Sequence, residues 1–454
     1  MTDGSNLRRL SLRLALLAVG AVALSGCAMQ HWKNPFASDS SHHKYKGTGT
    51  RIPIATFDQS LKISDALKGQ DFYLPPPQPV AAWPQPSGPI DATVENADAG
   101  KAFTVAWRAN IGAGSDRRTY ITASPVTGDG RVYTMDGGAR VSAFDQATGQ
   151  LIWRTNMAER SKHDKEGFGG GLAFADGHVF VSSGFRFVAS VNAANGKIEW
   201  RTDTEAPIHA APTVSGGRVI VESVDDNLMT FDTQTGVPGW TYQAITEPAR
   251  VLAATSPAVS GDAVVASFAS GELVSLQAAN GTGLWSLVLS QSNRDNALSE
   301  IRDIPGRPVV YHGDVFAVSH SGVFAAIDLR TGSQRWQLPV TSISTPWPAG
   351  DVVYVTDTAG EVICASRDSG AIYWITDLNK GVKKKKDIGI WSGPILASDH
   401  IVVVSTTGEA EQLNPKTGVV EHRLKVGSPA LLNPIAANGD LYVVTQGAEL
   451  IAIR

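Results

Sequence analysis

The chain is poor in cysteine, with Cys27 and Cys364 the only two in 454 residues. That count excludes a disulfide scaffold and a cysteine-rich metal site. Charge is scarce as well: Asp, Glu, Lys and Arg make up 18% of the chain, against ~25% in ordinary domains. Long charged blocks are missing, which excludes an acidic disordered chain and a coiled coil. The net charge of −4 offers nothing basic for nucleic acid to bind. Long apolar runs are lacking too; the N-terminal one, Leu14 to Leu24, has 11 residues, short of the ~20 a spanning helix needs. What is abundant is glycine, at 45 residues, and apolar character, at 43%, enough for a sizeable core. Length alone suggests about three domains.

The first residues read as an address. Arg8, Arg9 and Arg13 form a positive start, Leu14 to Leu24 an apolar middle, and Leu24-Ser25-Gly26-Cys27 a small-residue end. That order makes residues 1–26 a secretory signal peptide. Its end resembles the lipobox of bacterial lipoproteins, which implies cleavage before Cys27 and acylation of that residue, palmitate included. Ala28 and Met29 follow the cysteine. In the lipoproteins it resembles, an Asp there means retention in the inner membrane. The expected location is therefore the outer membrane, lipid-anchored and facing the periplasm. Removing residues 1–26 leaves 36 basic and 42 acidic residues and a formal charge of −6.

Residues 27 to about 100 read as a tether. Pro75-Pro76-Pro77, Pro79, Pro84, Pro86 and Pro89 make it extended and semi-rigid. It is expected to pack little, with a short helix around Ser60 to Lys68 and His42-His43 in a polar spacer.

The remainder, 101–454, is one repeat. A Gly followed four residues later by Trp recurs as Gly149/Trp153, Gly196/Trp200, Gly236/Trp240, Gly281/Trp285, Gly332/Trp336 and Gly370/Trp374; a seventh copy has His422 after Gly418. Four residues before each Gly stands Asp145, Asn192, Asp232, Gln277, Asp328, Ser366 or Asn414. Each unit reads as four short alternating strands bounded by Gly, Asp and Asn turns. Four strands in ~40–45 residues make a propeller blade. Seven units end near Lys425, and residues 431–453 supply three further strands. The missing fourth appears ahead of the first unit, as Phe103 to Arg108. The expected fold is all-β: an eight-bladed β-propeller of four-stranded antiparallel blades, the last closed by an N-terminal strand. The repeat overrides the length-based count of domains.

Blades of the form Asp-x-x-x-Gly-x-x-x-Trp resemble the quinoprotein (PQQ-like) propellers. Two branches are relevant: the quinoprotein dehydrogenases, and the BamB family of outer-membrane protein assembly factors, lipoproteins with eight such blades and no catalysis. The lipobox, the eight blades and the absence of an appended domain favour the second. The dehydrogenases carry adjacent cysteines over their cofactor, whereas Cys27 and Cys364 are far apart, and there is no Cys-x-x-Cys-His haem site. Cys364 reads as a buried small hydrophobe in a strand. Gly169-Gly170-Gly171 precedes a strand, not a helix, and fails as a phosphate loop. No catalytic residue, metal site or cofactor is expected.

Strand parity puts the loops between blades on one face together with the turns between second and third strands. The opposite turns are short, so one face is plain and the other elaborated. The long loops run from Asn156 to Gly169, Ala244 to Ala254, Ser290 to Gly306 and Asp377 to Ser392. In the BamB family the loops after the third and fourth blades contact a POTRA domain of the barrel-assembly protein BamA. Aligned on Pro257, the first of these has Val251 and Leu252 where the family has Leu-Arg, leaving Arg250 as a displaced basic residue. In the second, Asp303 matches the first acid of the family's Asp-x-Asp, and Pro305 replaces the other. The expected partner-binding residues are Arg250, Leu252, Arg302 and Asp303. The Lys383 to Lys386 run is a solvated loop tip or a contact for acidic groups, with Trp391 beside it as an exposed anchor. The expected function is a scaffold that binds BamA and assists insertion of nascent outer-membrane proteins; the alternative is a PQQ-dependent or other ligand-binding propeller enzyme of the periplasm.

Overall fold

In the first repeat the strands Val126–Gly128, Arg131–Met135, Arg140–Asp145 and Leu151–Asn156 pair antiparallel in that order. The structure, a computed structural model, describes residues 61–86, 88, 94–157, 167–247, 255–289 and 301–454. Within them the pattern repeats as eight four-stranded sheets. Each middle strand is buried on both faces because a neighbouring blade lies on either side. The first two blades, for example, share a core of Tyr133, Val141, Leu172, Val179 and Val191. The outermost strands alternate between exposed and half-buried residues, as in Leu151–Asn156.

The eighth sheet is made from both ends of the ring. Ile435–Ala437, Asp440–Val444 and Glu449–Ile453 are completed by Val105–Asn110. Arg108 pairs with Ile451, Ala109 with Leu450 and Asn110 with Glu449. The Thr104 amide donates to the Arg454 carbonyl at 3.1 Å, and the Arg454 amide donates back at 2.9 Å. The Arg454 guanidinium donates through Nε and Nη2 to Asp440, each at 2.8 Å. Closure leaves no open strand edge between the last blade and the first.

The repeat motif proves to be a lock between consecutive blades. From Trp153 to Trp374, the six tryptophans of the motif donate their indole N–H to a backbone carbonyl in the next blade's outer turn, for example Trp153 to Ala193 at 2.9 Å, Trp200 to Thr233 at 2.9 Å, and Trp374 to Pro415 at 3.1 Å. The motif glycine of that next blade lies on the ring. A Cβ at Gly196 would come 2.6 Å from Trp153, and one at Gly418 2.5 Å from Trp374. The same two glycines have φ of 76° and 72°, where a side chain is strained. The polar residue four positions earlier closes the turn: Asp145 accepts from the Thr148 amide at 2.9 Å and its hydroxyl at 2.7 Å.

The described part of the expected tether, 61–86 and 94–100, differs from a spacer that packs little. It lies across the plain face as a strap. Phe72 is 6% exposed, Val80 9% and Trp83 1%. The Tyr73 amide donates to Asp351 at 2.9 Å, and the Val80 carbonyl accepts from Asn438 at 2.7 Å. Trp83 exchanges two bonds with Thr127, and the Pro84 carbonyl accepts from Phe174 at 2.7 Å. On the way back Glu95 accepts from the Tyr311 hydroxyl at 2.7 Å and the Gly350 amide at 2.9 Å, and Ala97 accepts from Ser398 at 2.7 Å. The backbone is extended, as its prolines require, but apolar side chains between them find the ring. Around Ser60 to Lys68, the described residues form a turn, with the Lys68 amide on the Ser64 carbonyl at 2.9 Å, and not a regular helix.

Candidate functional site

Among the expected partner-binding residues, Arg302 and Asp303 are described; Arg250, Leu252 and the lipidation residue Cys27 lie outside the described residues. Arg302 is exposed. Asp303 is 7% exposed. The backbone at these two residues is wedged between two turns of the elaborated face. The Asp303 carbonyl accepts from the His320 amide at 2.8 Å, and a Cβ at Gly271 would come 2.9 Å from the Arg302 carbonyl. Ile304, next in sequence, is fully buried. Arg302 therefore points from a rigid base, whereas Asp303 belongs to that base.

The turn Ser223 to Asn227 organises the neighbouring loop. Asp226 is fully buried and accepts from the amides of Glu247 at 3.1 Å and Ala269 at 3.3 Å. The start of the third interblade loop is tied in this way to the fourth blade.

Lys383 to Lys386 are exposed, at the tip of the loop that follows the sixth blade, where Lys385–Asp387 makes one 3-10 turn. Trp391 is not an exposed anchor: it is 3% exposed. It opens the innermost strand of the seventh blade, and its indole donates to Asn379 Oδ1 at 3.3 Å. The Asn379 amide donates in turn to the carbonyls of Ala359 at 2.9 Å and Gly389 at 3.0 Å, so the loop has a fixed base.

At the centre of the ring lies a chamber of about 460 Å³, to which Pro86 of the strap contributes. Below it Trp83 stacks on Trp347, with centroids 6.1 Å apart and planes 8° from parallel. Neither the chamber nor its charge follows from the glycine–tryptophan repeat. Two positions before the innermost strand, six of the eight blades carry a residue followed by proline: Ser124, Ala211, Ser256, Arg307, Thr345 and Asn433. All of these except Ala211 line the chamber, and Arg307 is the charged member of the series. Its Nη2 donates to the Pro257 carbonyl at 2.9 Å, while Nε and Nη1 are buried without a partner. Burial pulls its pKa down to about 10, which leaves it a cation at neutral pH.

No carboxylate of the described residues lines the chamber. Cys364 is fully buried in the third strand of the sixth blade, and burial pushes its thiol pKa up. Among the described residues no group of three or more His, Cys, Asp or Glu could hold a metal ion. The side chains in the chamber therefore do not match the cysteine-covered quinone site of the dehydrogenases.

Comparison with known proteins agrees with the ring. The chain is 27% identical over 350 residues to the outer membrane protein assembly factor BamB of Burkholderia pseudomallei, covering 77% of this chain and 87% of that one. It is 29% identical over 356 residues to the BamB of Alkalilimnicola ehrlichii, covering 78% and 89%. The crystal structure of BamB from Moraxella catarrhalis superposes with a TM-score of 0.64 at 20% identity, over 75% of this chain and 98% of that one. The quinohemoprotein alcohol dehydrogenase from Comamonas testosteroni superposes with a TM-score of 0.61 at 13% identity, over 82% and 80%. At those identities the two superpositions show a shared fold. The family model for the outer membrane protein assembly factor BamB matches residues 93–164 and 137–376, more than half of the sequence, and the chain belongs to that family.

Proposed function

We propose that the chain is a non-catalytic scaffold of outer-membrane protein assembly. It docks on a POTRA domain of BamA through its elaborated face and assists insertion of nascent outer-membrane proteins. The observation that carries this is the family match, together with relatives of that name matched over nearly nine-tenths of their length. Elaborated loops on a rigid ring are where binding functions usually sit. In this reading Arg250, Leu252 and Arg302 touch the partner, and Asp303 holds the loop that presents Arg302. A chamber whose described lining has neither a carboxylate base nor paired cysteines supports a binding role over catalysis.

The anchor belongs to the same proposal. Residues 1–26 direct export, Cys27 is acylated in the outer membrane, and residues 27–100 link the anchor to the ring, held to it from residue 61 onward. No described helix is long and apolar enough to cross a membrane. The test is capture from detergent-solubilised membranes by the mature, lipidated chain, with partners identified by mass spectrometry. Recovery of BamA well above a control propeller supports the proposal. Its absence, under conditions that keep the ring folded, contradicts it.

A further inference from the structure

We propose that the central chamber binds a small organic carboxylate, with Arg307 as its charge partner. The inference goes beyond the scaffold reading and does not depend on it. Three observations lead to it. The first is the place of Arg307 in the repeat. At the register position where the other blades with this geometry put Ser124, Ala211, Ser256, Thr345 and Asn433, the fifth blade puts a guanidinium. Five of the six blades with this pattern put a neutral residue there, and the cation is the exception.

The second is the state of that cation. Arg307 is 8% exposed and makes one hydrogen bond, to the Pro257 carbonyl, which the Thr213 hydroxyl also reaches at 2.7 Å. Two of its nitrogens have no partner, and the described residues that line the chamber add a second cation, Arg117, and no acid to balance it. A buried charge is normally paired, because removal from water is costly without a counter-charge. A carboxylate supplies one negative charge and acceptor oxygens for the open donors.

The third is the wall. Ile121, Ile343, Leu431 and Leu432 give it an apolar lining, and Tyr120 stacks on Phe168 with centroids 4.9 Å apart. Inorganic phosphate would leave that surface unused. An acid with an apolar or aromatic body uses both the wall and the charge. A volume of about 460 Å³ suits such a molecule or the last two residues of a peptide. The strap residue Pro86 contributes to the lining, so the site needs the strap in place.

The test is calorimetric titration of the full mature chain with 3-phenylpropionate and with its amide. A second pair, an N-acetylated dipeptide acid and its amide, distinguishes a free acid from a peptide C-terminus as the source. Saturable one-to-one binding is expected for at least one acid, with the matching amide at least tenfold weaker. Arg307→Gln should lose the acid's advantage over the amide, and Arg307→Lys should keep part of it. Acid and amide binding alike, or neither acid binding at concentrations of about 10 mM, would overturn the proposal. The acid–amide contrast is read on the parent chain, so it stands even if a variant does not fold. A parent chain that captures BamA but shows no acid preference would refute the chamber proposal and leave the scaffold reading intact.

Discussion

Gly418 carries no side chain because Trp374 and Thr376 occupy the space: a Cβ there would come 2.5 Å from the indole and as close to the Thr376 hydroxyl. The Trp belongs to the sixth blade and the glycine to the seventh, so one contact explains why the two residues recur together along the chain. Trp374→Ala should cost about 3–5 kcal/mol, since the ring is 7% exposed and also donates to Pro415. Gly418→Ala should cost somewhat less than that, from the collision and from about 1–2 kcal/mol of left-handed strain. The double variant should be destabilised by less than the sum, because removing the indole removes one of the two collisions and leaves that with the Thr376 hydroxyl. Additive losses in denaturant titrations would show that the contact is not what selects the glycine.

The strap has a clear stability signature. Trp83→Ala should cost about 3–5 kcal/mol although it lies outside the repeats, because it is 1% exposed and stacked on Trp347. A midpoint within error of the parent would mean that the strap does not hold the plain face.

Deleting residues 101–112 should unpair Glu449–Ile453 and leave the last blade with three strands. A large fall in thermal midpoint or aggregation is expected, since the exposed edge is a template for other chains. Unchanged melting would contradict the closure.

Burial raises the pKa of Asp357 above its usual value, and burial together with the Asp357 charge does the same for Glu361. The folded chain therefore holds these protons more tightly than the unfolded chain. The stability they contribute is present below about pH 4 and is lost as pH rises through the folded values. Asp357→Asn, whose side-chain oxygen can still accept from the Glu361 amide (2.7 Å in the parent), should raise the midpoint at pH 7. The gain should shrink as pH falls toward about 4. A constant gain across that range would point to packing, not charge.

The ring was legible in the sequence because its signal is periodic. One glycine–tryptophan offset, repeated from Gly149 to Gly370, gives the blade, the count and the seam at Phe103 to Arg108. The strap was not, because Pro75 to Pro86 reads as composition. Its information lies in Phe72, Val80 and Trp83, whose partners are more than forty residues away, such as Thr127 and Asn438. Trp391 fails for a related reason. It stands beside four lysines in sequence, yet it begins an innermost strand and is covered there. Arg307 could have been noticed by aligning the residues ahead of each innermost strand, but its isolation from carboxylates is a property of the fold.

Cys27→Ala should leave the precursor uncleaved by the lipoprotein peptidase or free the protein from the outer membrane. Normal processing and outer-membrane fractionation of that variant would refute the anchor.

The central claim is that the elaborated face holds BamA, and the most direct measurement is the affinity of the mature chain for the periplasmic domains of BamA. The variant to compare is Arg250→Glu, Leu252→Ala, Arg302→Glu, which spares Asp303 because that residue is 7% exposed. Binding should weaken by about 2 kcal/mol or more, roughly thirtyfold. The thermal midpoint should stay within the small range of surface substitutions. A variant that is equally stable and binds BamA like the parent would contradict the account.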